Sequence, residues 1–306
     1  MVQKVSLAIA VVVGFTAYLA AQTAAPGQEP PARSLTAAEL ATKALTDSDL
    51  YCDGHFTHRP VESGLFVLGS EDGALKFEFS NQDIIYLSKG RKSINVPGDQ
   101  YMVMRPVKDI IRYQSFPGQH ALLSKLGTLY SDIARIQIQT IHENSASAKI
   151  LTSCESVLEG DIVVPFVARS APAYRSAQLT DRFAPSSGKA TGIIAAIKEF
   201  QEAAGAGNIV YLNMGLKQGV QVGSYLRIFQ TYRSPSQYLE QQGSRNYLTD
   251  LMGVPIGHKL TQEEIDALPR TVLGEMMILS AEDDSATAII TYSWQDIHPG
   301  DQVEIE

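Results

Sequence analysis

Residues 83–104 read "DIIYLSKGRKSINVPGDQYMVM" and residues 208–229 read "NIVYLNMGLKQGVQVGSYLRIF". The two stretches align without a gap. A second pair, 145–163 and 285–303, also aligns without a gap and has eight identical positions. Self-similarity of this kind indicates a duplicated structural unit. The identical positions of the first pair are Ile84, Tyr86, Leu87, Gly90, Lys92 and Gly98 in one stretch and Ile209, Tyr211, Leu212, Gly215, Lys217 and Gly223 in the other.

Each unit has the pattern of short strands separated by turns. An apolar run at 84–87 enters a turn, and Gly98 with Asp99 precedes the next strand at 101–104. Glycine adopts positive φ without steric cost, and aspartate bonds to the backbone of a turn. Residues 134–140 alternate between apolar and polar, which predicts a half-buried antiparallel strand. We predict further strands at 64–69, 74–79 and 192–197. About five such strands form a small barrel or sandwich that hides its own edges.

The order of these motifs also resembles a known family. Stretches such as "PGDQYMVMRP" at 97–106, "EGDIVVPF" at 159–166 and "PGDQVEI" at 299–305 resemble the C-terminal region of secreted bacterial proteins that carry an N-terminal LysM module. The second unit alone is similar to the C-terminal domain of flagellar assembly protein T, a small SH3-like barrel. The chain has no LysM motif before residue 80. The glycan-binding activity that the family implies is therefore not carried over, and neither is any catalytic residue.

Together, the repeat and the resemblance predict the fold class and the domains. The chain is expected to be mainly β, with two tandem SH3-like small β-barrel modules related by an internal repeat and a short N-terminal helix. The first module is expected at 51–167 and the second at 191–306. Residues 168–190 are rich in Ala, Ser, Pro and Arg and should link the modules.

The N-terminus has the pattern of a secretory signal peptide over residues 1–21. Lys4 precedes an apolar run that ends in small residues. The alternative is an uncleaved membrane anchor, although the run is short for a span. Residues 22–50 should form a flexible linker with a short helix at 34–45. We therefore expect a protein exported to the periplasm or cell envelope, with no integral membrane span once the signal is removed.

Charge excludes some classes of partner. The net charge is −8, so a nucleic-acid partner and simple adhesion to anionic lipid are not expected, because both need a basic surface. An exported protein can form disulfides, and Cys52 could pair with Cys154. The alternative for these two cysteines is a pair of buried free thiols.

Only one cluster has the residue types of a metal site. The stretch "YCDGHFTH" at 51–58 contains Cys52, Asp53, His55 and His58, all of which zinc accepts as ligands. In an extended strand, however, Cys52 and His55 point to opposite faces. We therefore predict a strand with solvated histidines, no metal site and no cofactor.

Two long excursions interrupt the repeat, at 106–125 and at 232–270. Long loops are often functional, although these could simply cover a barrel end. Thr261 and Glu264 form a capping-box pattern that predicts a helix in the second excursion. Tyr and Arg are favoured at binding hot spots, against the alternative of ordinary loop composition. The candidate binding loop is Tyr232, Arg233, Tyr238, Arg245 and Tyr247.

No sequence motif identifies a reaction. The chain has neither a Gly-x-Ser-x-Gly nor a His-Glu-x-x-His motif. The first functional prediction is a non-enzymatic envelope protein that acts as a protein-binding or assembly scaffold, with another envelope protein as partner. The alternative is a peptidoglycan-binding protein that lacks LysM, and a hydrolase is a third, weaker alternative.

Overall fold

The structure, a computed structural model, describes residues 45–61, 64–94, 96–108, 114–175, 181–237 and 261–306. Within these residues the chain is mainly β, as predicted, with thirteen strands and three short α-helices. The expected signal peptide at 1–21 lies outside the described residues. So does the expected helix at 34–45, apart from Leu45, which is not helical.

The first seven strands form one antiparallel sheet. Its order is β2-β3-β6-β5-β4-β7, and β1 pairs with β5 at the side. A single bridge between Phe66 and Ile162 brings the β2 and β7 ends of the sheet together. The strands are β1 (His55–Thr57), β2 (Val67–Ser70), β3 (Ile84–Leu87), β4 (Gln100–Pro106), β5 (Thr128–Ile141), β6 (Ala146–Ser153) and β7 (Ile162–Pro165).

The other six strands form a closed barrel. The order around the barrel is β10-β11-β12-β9-β8-β13. Strand β13 pairs with β8 on one side and with β10 on the other, which closes the barrel. Closure leaves no free sheet edge. The strands are β8 (Thr191–Ile197), β9 (Ile209–Leu212), β10 (Tyr225–Gln230), β11 (Thr271–Ala281), β12 (Ala286–Ser293) and β13 (Gln302–Ile305).

The helices of the described residues are short: α1 (Asp47–Tyr51), α2 (Gln119–Leu126) and α3 (Gln262–Ala267). The predicted capping box of α3 is confirmed, since the Thr261 side chain accepts from the Glu264 amide and Glu264 bonds back to the Thr261 amide. Within the described part of the chain, no helix is long and apolar enough to cross a membrane.

One predicted strand is wrong. The stretch 74–79 contains the end of a 3₁₀ turn, Gly73–Leu75, and then an irregular segment. Only Phe79 is anchored, by a single bridge to Val157 and by complete burial of its side chain. Leu75 and Phe77 instead extend into solvent, so the apolar alternation that predicted a strand does not face a core. The strands predicted at 134–140 and 192–197 are confirmed, as parts of β5 and β8.

Four apolar clusters lie in the described residues, and three of them show how the two sheets form one compact unit. One lies inside the first sheet and one inside the barrel. The third joins the N-terminal segment and α2 to the outer face of the barrel, so the sheets share an apolar interface. Its buried members are Leu50, Phe56, Leu123, Leu126, Leu129, Ala195, Ala196, Ile209, Tyr211, Met277, Leu279 and Ile289.

The connection between the two sheets is bonded to both of them. Arg169 contacts the carboxylate of Asp53 on the N-terminal side, at 2.8 Å. Arg175 contacts Glu275 on β11, also at 2.8 Å, and pairs with Glu306. In its described parts, the expected linker at 168–190 is therefore tied to the rest of the molecule by ion pairs.

Candidate functional site

A cleft of about 820 Å³ lies between the two sheets. One wall comes from the end of β4 and the turn that follows β6, and the other is the 3₁₀ turn Lys198–Phe200. Tyr211 on β9 and Leu129 on β5 also line it. The cleft therefore exists only because the third core brings the sheets together.

Arg105 organises the first wall. Its guanidinium donates two hydrogen bonds to the carboxylate of Asp161, each of 2.7 Å, and a third to the backbone oxygen of Ser156. The hydrogen bond to Asp161 raises the pKa of Arg105 above its ordinary value. Asp161 in turn accepts from the amide of Leu158, so the pair fixes the turn that precedes β7. Arg105 thus shapes the wall and is already bound within it.

The second wall is a strained turn. Glu199 has φ of 58° and Phe200 has φ of 52°, so two consecutive residues other than glycine are in the left-handed region. Each such residue costs on the order of 1–3 kcal/mol and persists only where its surroundings hold it in place. Phe200 packs against the third core, which supplies that support. Lys198 and Glu199 thereby reach the cleft, and the arrangement presents charges of both signs to a ligand.

The floor of the cleft is formed by Tyr211. Its ring lies edge-on to Phe56 with centroids 5.5 Å apart, and its hydroxyl donates to the backbone oxygen of Asp53 at 3.0 Å. Burial raises the pKa of Tyr211 above the ordinary value. This tyrosine therefore acts as a hydrogen-bond donor that holds the N-terminal segment to the barrel.

Two aspartates are buried together at the same junction. The side chains of Asp53 and Asp132 are both fully buried. Arg169 contacts Asp53 at 2.8 Å and Asp132 at 3.8 Å, and the amide of Gly54 donates to Asp132. One oxygen of each carboxyl, Oδ2 of Asp53 and Oδ1 of Asp132, is buried and has no hydrogen-bond partner in the structure.

Burial governs the ionisation of this pair. Desolvation is the largest cause of the raised pKa of Asp53, which lies at about 7, and the neighbouring carboxyl of Asp132 raises it further. Arg169 opposes both effects. Burial also lowers the pKa of His55, whose ring stacks on Tyr130 at 6.3 Å. Both carboxyls are fully buried, and their contacts with Arg169 hold the junction together.

A disulfide fixes the same segment from its other side. Cys52 is bonded to Cys154, with Cα atoms 5.5 Å apart and a sequence separation of 102. The sequence left this pairing open against two free thiols. The disulfide links the end of α1 to the residue that follows β6.

The other candidate ligands of the "YCDGHFTH" stretch do not lie together, because each has different neighbours. Asp53 faces Arg169, His55 stacks on Tyr130, and His58 is exposed. Within the ranges that the structure describes, no group of His, Cys, Asp and Glu is arranged to hold a metal ion.

The candidate binding loop falls mostly outside the described residues. Tyr238, Arg245 and Tyr247 all lie there. Arg233 is described and lies 3.3 Å from Asp266 of α3, with both side chains exposed, and Tyr232 is half-buried. The prediction for this loop therefore stays a prediction.

Sequence reasoning missed the junction itself. Arg169, Asp132 and Tyr211 lie far apart in sequence, and only the fold brings them to Asp53. One signal was available, since Asp132 is an acidic residue inside the apolar strand "TLYSDIARI" and charged residues are seldom buried without a partner. That signal indicates a buried ion pair but does not identify its partner.

Comparison with known proteins found no matching family model and no matching curated protein. The resemblance to secreted LysM-bearing proteins and to flagellar assembly protein T therefore stays a prediction from the sequence.

Proposed function

We propose that this chain is a non-enzymatic protein of the cell envelope that binds a partner protein and serves as an assembly scaffold. The observation that carries the proposal is a set of large apolar side chains that extend into solvent from the first sheet and its 71–79 loop. Leu75 is 93% exposed, Phe77 is 73% exposed and Leu68 is 55% exposed. Leu75 and Phe77 lie two residues apart in this loop, and large apolar side chains exposed near one another on a protein surface mark contact with a partner.

The rigid attachment of the two sheets supports the same proposal. A third apolar core, a disulfide and the Arg169 ion pairs fix the body that presents these side chains. A preorganised surface loses less conformational entropy when it binds. The disulfide also supports an oxidising compartment, as the proposed export to the periplasm or envelope requires.

The proposal includes a duplicated SH3-like module for each sheet. Support comes from strand order, because β2-β3-β6-β5-β4-β7 in one sheet corresponds to β8-β9-β12-β11-β10-β13 in the other. Further support comes from the irregularities in pairing. The register shifts between Val103 and Met104 in β4 and between Ile228 and Phe229 in β10, which are aligned positions. Bulges fix the bend of a strand, so matched bulges favour a common ancestor.

The test is recovery of a stoichiometric partner. The tagged mature chain is cross-linked in an envelope fraction, purified, and analysed by mass spectrometry and size-exclusion chromatography. We expect one envelope protein at a fixed molar ratio, and at least tenfold lower recovery with Phe77→Asp. Val222→Asp is the matched control, because Val222 is also exposed but lies on the barrel. Recovery of no protein at a fixed ratio would overturn the proposal.

The cleft favours a second candidate, a peptidoglycan-binding protein. Lys198 and Glu199 offer opposite charges beside the aromatic floor, and the stem peptide of peptidoglycan carries both carboxylates and an amine. Co-sedimentation with purified sacculi tests this candidate. Binding that falls when Lys198 and Glu199 are both replaced by alanine supports it, and a chain that stays in the supernatant counts against it.

A further inference from the structure

The outer face of the barrel already holds residues 53–57 of the same chain, in which His55–Thr57 is a strand and Gly54 turns with a φ of 64°. Three hydroxyls on the barrel donate to backbone oxygens of this stretch. Tyr211 bonds to Asp53 at 3.0 Å, Thr287 bonds to Gly54 at 2.9 Å, and Ser285 bonds to Phe56 at 3.1 Å. All three bonds are buried, and the Phe56 ring packs against Tyr211. The face therefore binds backbone carbonyls through its hydroxyls and one aromatic side chain through its tyrosine.

The first sheet carries the same three hydroxyls at the aligned positions. The gapless alignment places Tyr86 with Tyr211, Ser147 with Thr287, and Ser145 with Ser285. Strand pairing agrees, because Tyr86 lies directly opposite Ser147 and Tyr211 lies directly opposite Thr287.

On the first sheet these hydroxyls are open. Tyr86 is 39% exposed, and both serines are half-buried. Among the described residues, none of the three hydroxyls has a hydrogen-bond partner. The donor set that holds residues 53–57 on the barrel is thus present a second time and is unused.

Apolar side chains flank the open hydroxyls. Gly69 of β2 lies opposite Tyr86, and the register of β2 shifts between Val67 and Gly69, where Leu68 is exposed; Phe66 is exposed just before it. The matching register shift in β8 places Ala195 at the position of Leu68, and Ala195 is completely buried in the third core. The first sheet therefore offers a larger and more accessible apolar contact than the barrel does.

The charged side chains around the open hydroxyls indicate which groups a bound segment must carry. On the barrel, Lys217 pairs with Asp284 at 2.7 Å. The aligned lysine on the first sheet is Lys92, where Asn144 replaces the aspartate and Glu143 stands at the position of Asp283. Lys149 likewise replaces the buried Ile289. A chain of net charge −8 thus has two lysines, Lys92 and Lys149, beside the face of its exposed tyrosine, while the Glu159 carboxylate lies next to Gly69 on β2.

We propose that the outer face of β2, β3 and β6 binds an extended acidic segment of a partner protein, with one aromatic side chain against Tyr86 and Leu68. The backbone carbonyls of the segment accept from Tyr86, Ser147 and Ser145, and its carboxylates pair with Lys149 and Lys92. This mode rests on the proposed protein-binding function and names the site at which the partner binds.

The test uses a synthetic peptide as the probe. It has the sequence of residues 53–57 followed by two glutamates, with blocked ends, and it is titrated into the isotope-labelled mature chain. We expect saturable NMR shifts at Leu68, Tyr86 and Ser147. Tyr86→Phe removes one hydroxyl and should weaken binding about three- to tenfold, the effect of one hydrogen bond. Tyr292→Phe on the barrel is the control and should leave the affinity unchanged.

Three results overturn the proposal. The first is the absence of saturable shifts, and the second is shifts confined to another surface. The third is concentration-dependent sedimentation of the chain alone that Leu68→Lys abolishes, because a second copy would then occupy the face. If the envelope partner is recovered equally well with wild type and Tyr86→Phe while the peptide fails to bind, this site is wrong and the scaffold function stands. If the peptide binds but no partner is recovered, the scaffold function fails and the site stands.

Discussion

Replacing Asp53 with asparagine is expected to change how the stability of the protein depends on pH. The folded chain holds a proton on Asp53 up to a pKa of about 7, because the carboxyl is buried beside Asp132. The unfolded chain releases that proton near 3.8. Between these values the folded state binds more protons than the unfolded state, so the free energy of unfolding falls as the pH rises. Asparagine carries no titratable group, so the variant should lack this fall in the free energy of unfolding.

The size of the effect follows from the two pKa values. Each pKa unit corresponds to about 1.4 kcal/mol, so the wild-type chain should lose on the order of 4 kcal/mol from this group between pH 4 and 7. His55 acts in the opposite direction. Burial lowers its pKa, so below 6.5 the unfolded chain takes up a proton that the folded chain does not. Burial raises the pKa of Glu275, so this residue, like Asp53, makes the free energy of unfolding fall as the pH rises. The difference between wild type and variant cancels both contributions.

The assay is urea denaturation at several pH values from 4.5 to 8, followed by circular dichroism. The unfolding free energy of Asp53→Asn relative to wild type should rise by about 3 kcal/mol over this range, since the assay begins above the unfolded pKa of 3.8. Asp132→Asn should reduce the wild-type slope only in part, because burial and not Asp132 is the largest cause of the raised pKa. Asp99→Asn, at an exposed position, is the control. If the difference in unfolding free energy between wild type and Asp53→Asn stays constant with pH, the reasoning is refuted.

Three further changes test other parts of the structure. Reduction of the disulfide should lower the unfolding free energy by about 4–5 kcal/mol, because it closes a loop of 102 residues; melting curves with and without reductant measure this. Arg270→Ala should cost about 3–5 kcal/mol, because it removes a partner of the fully buried Glu304, whereas Arg233→Ala at an exposed pair should cost less than 1 kcal/mol. Phe56→Ala should cost about 3–5 kcal/mol in denaturant titrations and should increase proteolysis at the junction of the two sheets.

The repeat predicted much of the strand arrangement because each strand carries its own local signal. Gly98 and Gly223 end aligned turns and have positive φ angles of 93° and 83°, as the glycine argument requires. The failure at 74–79 has a physical reason, since Leu75 and Phe77 have strand-like spacing but no sheet partner. Periodicity reports which residues are apolar and does not report what will cover them.

The candidate site was much harder to predict for the same reason. The strands "IIYL" at 84–87 and "IVYL" at 209–212 are nearly identical. The second is buried on both faces, whereas Tyr86 of the first is exposed. The difference comes from residues 53–57, which lie more than 150 positions from β9 in sequence. The burial of either strand therefore cannot be predicted from the short stretch of sequence around it.

The two faces differ in a way that suits one to permanent contact and the other to reversible contact. The barrel face has Ala195, Met277 and Ile289, which are buried in the third core with no charge to desolvate. The first sheet has Gln137 and Lys149 at the last two of these positions. Covering Lys149 would cost free energy unless the occupant supplied a carboxylate, because an unpaired buried charge is strongly unfavourable. In the proposed binding mode, the open face therefore disfavours apolar occupants that lack an acidic group, and Lys149 is the residue that gives the face this selectivity.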